Sequence, residues 1–237
     1  MARTNQDIIS NTLLFQGLGE KEINRIGEIA VEKNFNKGDP VFFEGEDSNG
    51  FYIIGEGLVK IYKLSIEGKE QILHILGPGE PFGEVPVFSG QRFPANAETI
   101  TKSQVLFFPR PAFTNLITRN PSLALNMLAV LSVRLRQFTT QIENLSLKEV
   151  PARLAGYLIY LAEEQGNEDL VTLNISKGQL ASLLGTVPET LSRVFARMNT
   201  QNLIEVEDRR IAILDRDRLT DLAESGKNEK GKNDKVY

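Results

Sequence analysis

The chain has 237 residues, 41% hydrophobic and 24% charged, and a net charge of −4, which is ordinary for a soluble protein and enough for two modest domains. It contains no cysteine and one histidine, His74. Disulfides, zinc fingers, cysteine-ligated iron–sulfur clusters and thiol catalysis are thereby excluded, and any histidine metal site or catalytic triad must compete for one imidazole. The acidic balance means that contact with nucleic acid has to come from a local basic surface.

The N-terminus lacks the order of a signal peptide, and no apolar run approaches the roughly 20 residues that span a bilayer. A cytoplasmic protein without a membrane partner is expected. Residues 20–31 predict a short amphipathic helix, with Leu18, Ile23, Ile26 and Ile29 at helical spacing. From Phe35 to about Pro109 the texture changes to short β-type runs separated by glycine turns at Gly38-Asp39, Gly55 to Gly57, Gly68 and Gly77 to Gly79. Many short strands at near-regular spacing predict a β-barrel or roll.

A long helix follows. Asn120 is a suitable N-cap and Pro121 a favoured first helical residue. Leu128, Leu131, Leu135, Phe138, Ile142 and Leu145 then recur at steps of three and four, an a/d seam. A helix of about 26 residues would be roughly 39 Å long. One reading packs it on its own domain; the favoured one pairs it with a second copy in a parallel, two-fold homodimer. Pro151 ends this stretch, so a hinge is expected over Leu147 to Pro151, followed by a helix over 152–165 that stops at Gly166-Asn167.

Residues 176–199 read as a helix-turn-helix. Ser176 and Gln179 have capping-box spacing. Leu180 and Leu184 face inward, Ala181 is small where helices cross, Gly185 suits a left-handed turn, and Pro188 restarts a helix whose inward face holds Leu191 and Val194. The outward face carries Glu189, Ser192, Arg193 and Arg197. With that helix N-terminus in a major groove, Arg193 would bind guanine O6 and N7, Glu189 would accept from an exocyclic amine, and Ser192 would reach a base or phosphate. The alternative is a solvated Glu189–Arg193 pair on a hairpin with no DNA role. A two-stranded wing should follow, its turn at Asp208 to Arg210, where Arg209 and Arg210 could touch phosphate; Lys177 is a further phosphate candidate. Residues 220–237, rich in Gly, Lys and Asn, are expected to form a disordered tail.

Roll, heptad helix, hinge and winged helix-turn-helix, in that order over about residues 12–219, resemble the Crp/Fnr family of transcription regulators. Phe82-Gly83-Glu84 looks like the family's phosphate-binding cassette. Glu189-x-x-Ser192-Arg193 looks like the recognition signature of the Fnr branch, where the catabolite-activator branch has arginine at the position of Pro188. The resemblance implies an α+β chain divided into a β-roll sensor domain (1–119), a dimerisation helix (120–147), a winged helix-turn-helix (148–219) and the tail. It also implies double-stranded DNA with TTGAT-like palindromes, a small-molecule effector, and RNA polymerase as a partner if the protein activates.

The effector loop departs from the nucleotide-reading pattern. There an arginine followed by Ser or Thr grips the cyclic phosphate. Counting from Gly83-Glu84 at equal loop length, those positions hold Pro94 and Ala95, with Arg92 two residues early. Phe138 falls near where such members place a hydroxyl residue that meets the base. Both departures argue against cAMP. Glu84 is left either to bind a ribose or to cap a short helix. The run Arg92 to Ala97 resembles a subgroup with relatives that use haem to sense nitric oxide. Haem is therefore a candidate cofactor, in an apolar pocket implied by Phe82, Phe88, Phe93 and Phe138, with His74 either its ligand or an ordinary strand histidine. The expected effector pocket comprises Gly83, Glu84, Arg92, Pro94, Ala95 and Phe138. A cyclic-nucleotide module acting through protein partners is the competing reading. No catalytic motif is present, so no enzyme is expected.

Overall fold

The computed structural model describes residues 4–225, and the chain divides after Arg136 into two compact units. The first opens with α1 (Asn5–Ser10), closed at its start by a Thr4–Asp7 capping box, and α2 (Glu20–Ile29). Eight strands and a short helix follow: β1 (Val31–Phe35), β2 (Pro40–Phe42), β3 (Gly50–Glu56), β4 (Val59–Leu64), β5 (Glu70–Leu76), β6 (Pro81–Phe82), α3 (Val85–Ser89), β7 (Asn96–Thr99) and β8 (Ser103–Pro109). They form two four-stranded sheets, ordered β1-β8-β3-β6 and β2-β7-β4-β5, with every pairing antiparallel. The expected roll is present.

Side-chain alternation along β3 makes two cores from one strand. Phe51 and Ile53 face the helices and join Ile9, Phe15, Ile26, Leu106, Phe108 and Phe113. Tyr52 and Ile54 face the roll interior, with Phe42, Val59, Leu76, Phe82, Phe93, Ala97 and Val105. Leu18, Ile23 and Ile29 pack against the helix-side core, as their spacing predicts. α4 (Arg110–Arg119) leads into α5 (Ser122–Leu147), and the Asn120 side chain accepts from Ser122 N at 3.2 Å, capping α5 as expected.

Of the α5 seam, Leu128, Leu135 and Ile142 are 59%, 69% and 65% exposed. Phe138 and Leu145 are half-buried, and Leu131 leans on the helix-side core of its own unit. Part of that seam is thus already used within the chain. No single helix among the described residues is long and apolar enough to cross a membrane.

The second unit contains α6 (Val150–Gln165), β9 (Leu170–Thr172), α7 (Lys177–Leu183), α8 (Pro188–Thr200), β10 (Ile204–Glu207), β11 (Arg210–Ile213) and α9 (Arg216–Ser225). α6 has Pro151 in its first turn and ends at Gly166 in the left-handed conformation, φ +63°. The hairpin expected after α8 forms as β10-β11. It gains a third strand that was not expected, giving the order β10-β11-β9, because Arg210, Ile211 and Ala212 pair with Thr172, Val171 and Leu170. The tail expected from residue 220 starts too early. Leu219, Leu222 and Ala223 are buried on α9, and a Cβ on Gly156 of α6 would lie 3.8 Å from that of Ala223. The remainder of that tail, 226–237, lies outside the described residues.

Candidate nucleic-acid interface and effector seat

The two helices expected to bind DNA are built by near-neighbour contacts. Gln179 N donates to Ser176 Oγ at 3.1 Å and Ser176 N to Gln179 Oε1 at 2.8 Å, so the capping box is closed. Gly185 takes φ +64° in the turn, and Pro188 opens α8. Leu180, Ala181, Leu184, Leu191 and Val194 are all buried. Arg153 of α6 braces this turn: its Nη1 donates to Leu184 O at 2.6 Å, satisfying a carbonyl that the end of α7 leaves open. Burial holds the Arg153 guanidinium below its ordinary pKa. Sequence reasoning missed Arg153, since its partner lies 31 residues away.

On α8 the buried set Leu191, Val194, Phe195 and Met198 alternates at helical period with exposed Glu189, Ser192, Arg193 and Arg197. Among the described residues neither Glu189 nor Arg193 joins an ion pair; Arg193 Nη2 donates instead to Thr190 Oγ1 at 3.1 Å. The Glu189–Arg193 pair of the solvated alternative is therefore not formed. Lys177 is exposed, with Nζ 5.8 Å from the Phe195 ring centre. The wing turn is Asp208-Arg209, with Asp208 at φ +55°; Arg209 is exposed there, and Arg210 begins β11 opposite Glu207. Between Ser176 and Asn199 the charged residues are Lys177, Glu189, Arg193 and Arg197, a local basic excess on an acidic chain.

The expected effector pocket comes together only in part. Gly83 has φ +72° and Glu84 is 2% exposed. Glu84 occupies the cap position of α3, yet its side chain makes no cap hydrogen bond. Its carboxylate instead accepts from Arg134 Nη1 of α5 at 3.2 Å. The same nitrogen donates to Pro81 O at 2.9 Å, and Nη2 lies 3.9 Å from Glu80 Oε1. Arg134 was not anticipated. Its signal in the sequence is a charge on an otherwise largely apolar helix, α5 carrying only Arg134, Arg136 and Glu143 as charged residues.

The other expected pocket members diverge. Arg92 points outward to Asp47 Oδ1 at 3.0 Å, with both side chains well exposed. Pro94 is exposed, and its carbonyl accepts from Lys63 Nζ at 3.0 Å. Ala95 is buried, Phe88 is half exposed on α3, and Phe138 belongs to the second unit. Phe82 and Phe93 do face the roll interior, where they pack against other rings. Phe42 and Phe93 stack at 3.7 Å and 7°, while Phe82 lies 6.0 Å from Phe42 and 5.1 Å from Tyr52.

His74 sits on β5 opposite Ile61. Burial and the nearby positive charge of Arg134 push its pKa down to about 4, so the imidazole is neutral at pH 7. Among the described residues no group of three or more His, Cys, Asp or Glu is placed to hold a metal ion.

Residues 32–120 match the model of the cyclic nucleotide-binding domain, and residues 152–222 that of the Crp-like helix-turn-helix domain. The chain is 30% identical over 217 residues to a CRP-like cAMP-activated global transcriptional regulator of Mycobacterium tuberculosis, covering 90% of this chain and 97% of that one. It is 31% identical over 207 residues to the cyclic AMP receptor protein of Thermus thermophilus, covering 85% and 94%. Among solved structures it resembles FixK2 from Bradyrhizobium japonicum, with a TM-score of 0.73 and 26% identity over 82% of this chain and 97% of that one. Fold and interface together define a DNA-binding transcription regulator with a cyclic-nucleotide-binding-type roll. The chain belongs to the Crp/Fnr family.

Proposed function

We propose that this protein acts as a homodimer that reads palindromic DNA with TTGAT-like half-sites. The observation that carries the proposal is the exposed face of α8, where Glu189, Ser192 and Arg193 lie about one turn apart and, among the described residues, no ion pair engages Glu189 or Arg193. Arg193 supplies the bidentate contact to guanine, Glu189 accepts from a cytosine or adenine amine, and Ser192 reaches a base or phosphate. Lys177, Arg197, Arg209 and Arg210 supply phosphate contacts that set register. The exposed Leu128, Leu135 and Ile142 on α5 support the dimer, because a two-fold contact along that helix removes this apolar surface from water. RNA polymerase is the partner where the protein works as an activator.

The regulatory input belongs to the first unit, at the Glu84–Arg134 pair that ties the roll to α5. A change there acts on α5 through Arg134 and biases two dimer arrangements that already interconvert. Two observations weigh against haem in the roll interior. The roll interior is occupied by rings in van der Waals contact, and His74 stands beside a cationic guanidinium.

A gel shift with a TTGAT palindrome and a scrambled duplex tests the reading. Preferential binding of the palindrome, lost in Leu135→Glu together with the dimer on size exclusion, is expected. Equal affinity for both duplexes would overturn it.

A further inference from the structure

Gly83 follows β6 with φ +72°, a conformation that lets a partner come close to backbone. The space above it is taken. A Cβ at Gly83 would lie 3.1 Å from Phe93 Cε1 and 3.2 Å from Phe42 Cε1. Those two rings are stacked face to face and are 5% and 6% exposed.

The loop that delivers Phe93 is fastened from several sides. Phe93 N donates to Glu46 O at 3.0 Å, and Gly45 N donates to Phe93 O at 2.9 Å. Lys63 Nζ holds Pro94 O and pairs with Glu44. Asn96 accepts from Glu44 N at 3.0 Å and donates to Tyr62 O at 3.3 Å.

The polar groups that would greet a phosphate ester are likewise engaged. Arg92 is turned out to Asp47. Arg134 is shared among Glu84, Glu80 and the Pro81 carbonyl. The seat over Gly83 therefore presents phenyl faces, and a cyclic phosphate placed there would lose its hydration without gaining a charged donor.

We infer that the protein fills its own effector seat: Phe93, stacked on Phe42 over Gly83, stands in for a bound ligand, and DNA binding proceeds without a cyclic nucleotide. The inference rests on the DNA-binding reading above only in its second half. The filled seat is tested without DNA.

The experiment uses full-length protein, unfolded and refolded to strip small molecules, titrated with cAMP and cGMP by calorimetry. Palindrome binding is then followed by fluorescence anisotropy with and without each nucleotide. No saturable heat and an unchanged DNA affinity are expected. Saturable nucleotide binding, or a rise in DNA affinity of about fivefold or more, the lower end of ordinary allosteric coupling, would overturn the inference.

Phe93→Leu and Phe93→Ala add a second line. Leucine should keep DNA affinity. Alanine should lower it and recover it on adding benzene, since a ring-sized apolar hole binds benzene. An alanine variant that folds, dimerises and binds DNA like the parent reduces Phe93 to core packing and overturns the stand-in role. A wild-type protein that shifts no palindrome under any condition fails the DNA reading instead, and calorimetry alone then decides whether the seat is filled.

Discussion

The two units differ in how far apart in the chain their decisive contacts lie. In the helix-turn-helix, the capping box spans three residues, and Gly185 and Pro188 act on their immediate neighbours. In the roll, Phe42 meets Phe93 across 51 positions, and Arg134 meets Glu84 across 50. Local geometry follows from residue type, whereas ring stacks and buried ion pairs follow from the register of strands laid down by the whole fold. A motif with the right residues in the right order thus announces DNA recognition. The same kind of motif, Phe82-Gly83-Glu84, announces only a scaffold whose occupant is chosen elsewhere.

Five measurements test this contrast. The largest effect should come from Phe42→Ala, which removes the ring shared by Phe93, Phe82 and Tyr52 and should cost about 3–5 kcal/mol in denaturant unfolding. A loss below about 1 kcal/mol would mean the roll interior is loose and can admit a ligand.

Arg134→Met should cost nearly as much, about 3–5 kcal/mol, because it strands the buried Glu84 carboxylate. Adding Glu84→Gln should restore much of it; no recovery would show that Arg134 acts through packing alone.

The third measurement is stability against pH. The folded His74 titrates near 4, below its unfolded value of about 6.5, so the folded state holds fewer protons between those values. Its contribution is present above pH 6.5 and is lost as pH falls toward 4, by about 3 kcal/mol at most. His74→Gln should flatten that part of the profile; an unchanged slope would move the acid sensitivity to other groups.

In the second unit, Arg193→Ala should weaken palindrome binding by about 1–3 kcal/mol and relax preference at one base pair. A uniform loss on all sequences would make Arg193 a phosphate contact. The smallest effect should be Arg92→Ala, below about 1 kcal/mol, since its pair with Asp47 is well exposed. A loss several times larger would return Arg92 to a structural or ligand-holding role.

Much of the architecture was legible beforehand. Alternation with glycine turns announced the roll, Asn120 with the apolar steps announced α5, and the α8 face appeared with every expected residue exposed. The third wing strand escaped because Leu170, Val171 and Thr172 form too short a run to signal a strand without β11 beside them. The polar composition after residue 220 masks Leu222 and Ala223, whose burial depends on α6.

The class of protein and the exposed face of α8 could be read from the order of residues, because caps, turns and helical periodicity act over a few residues. That Arg92 turns out to solvent, and that Glu84 answers to Arg134 rather than capping α3, follows instead from contacts between residues far apart in the chain. Neighbouring residues on one loop have nearly the same local preferences. Which of them enters the core is settled by the volume left between two sheets and by which buried charge has a partner within reach.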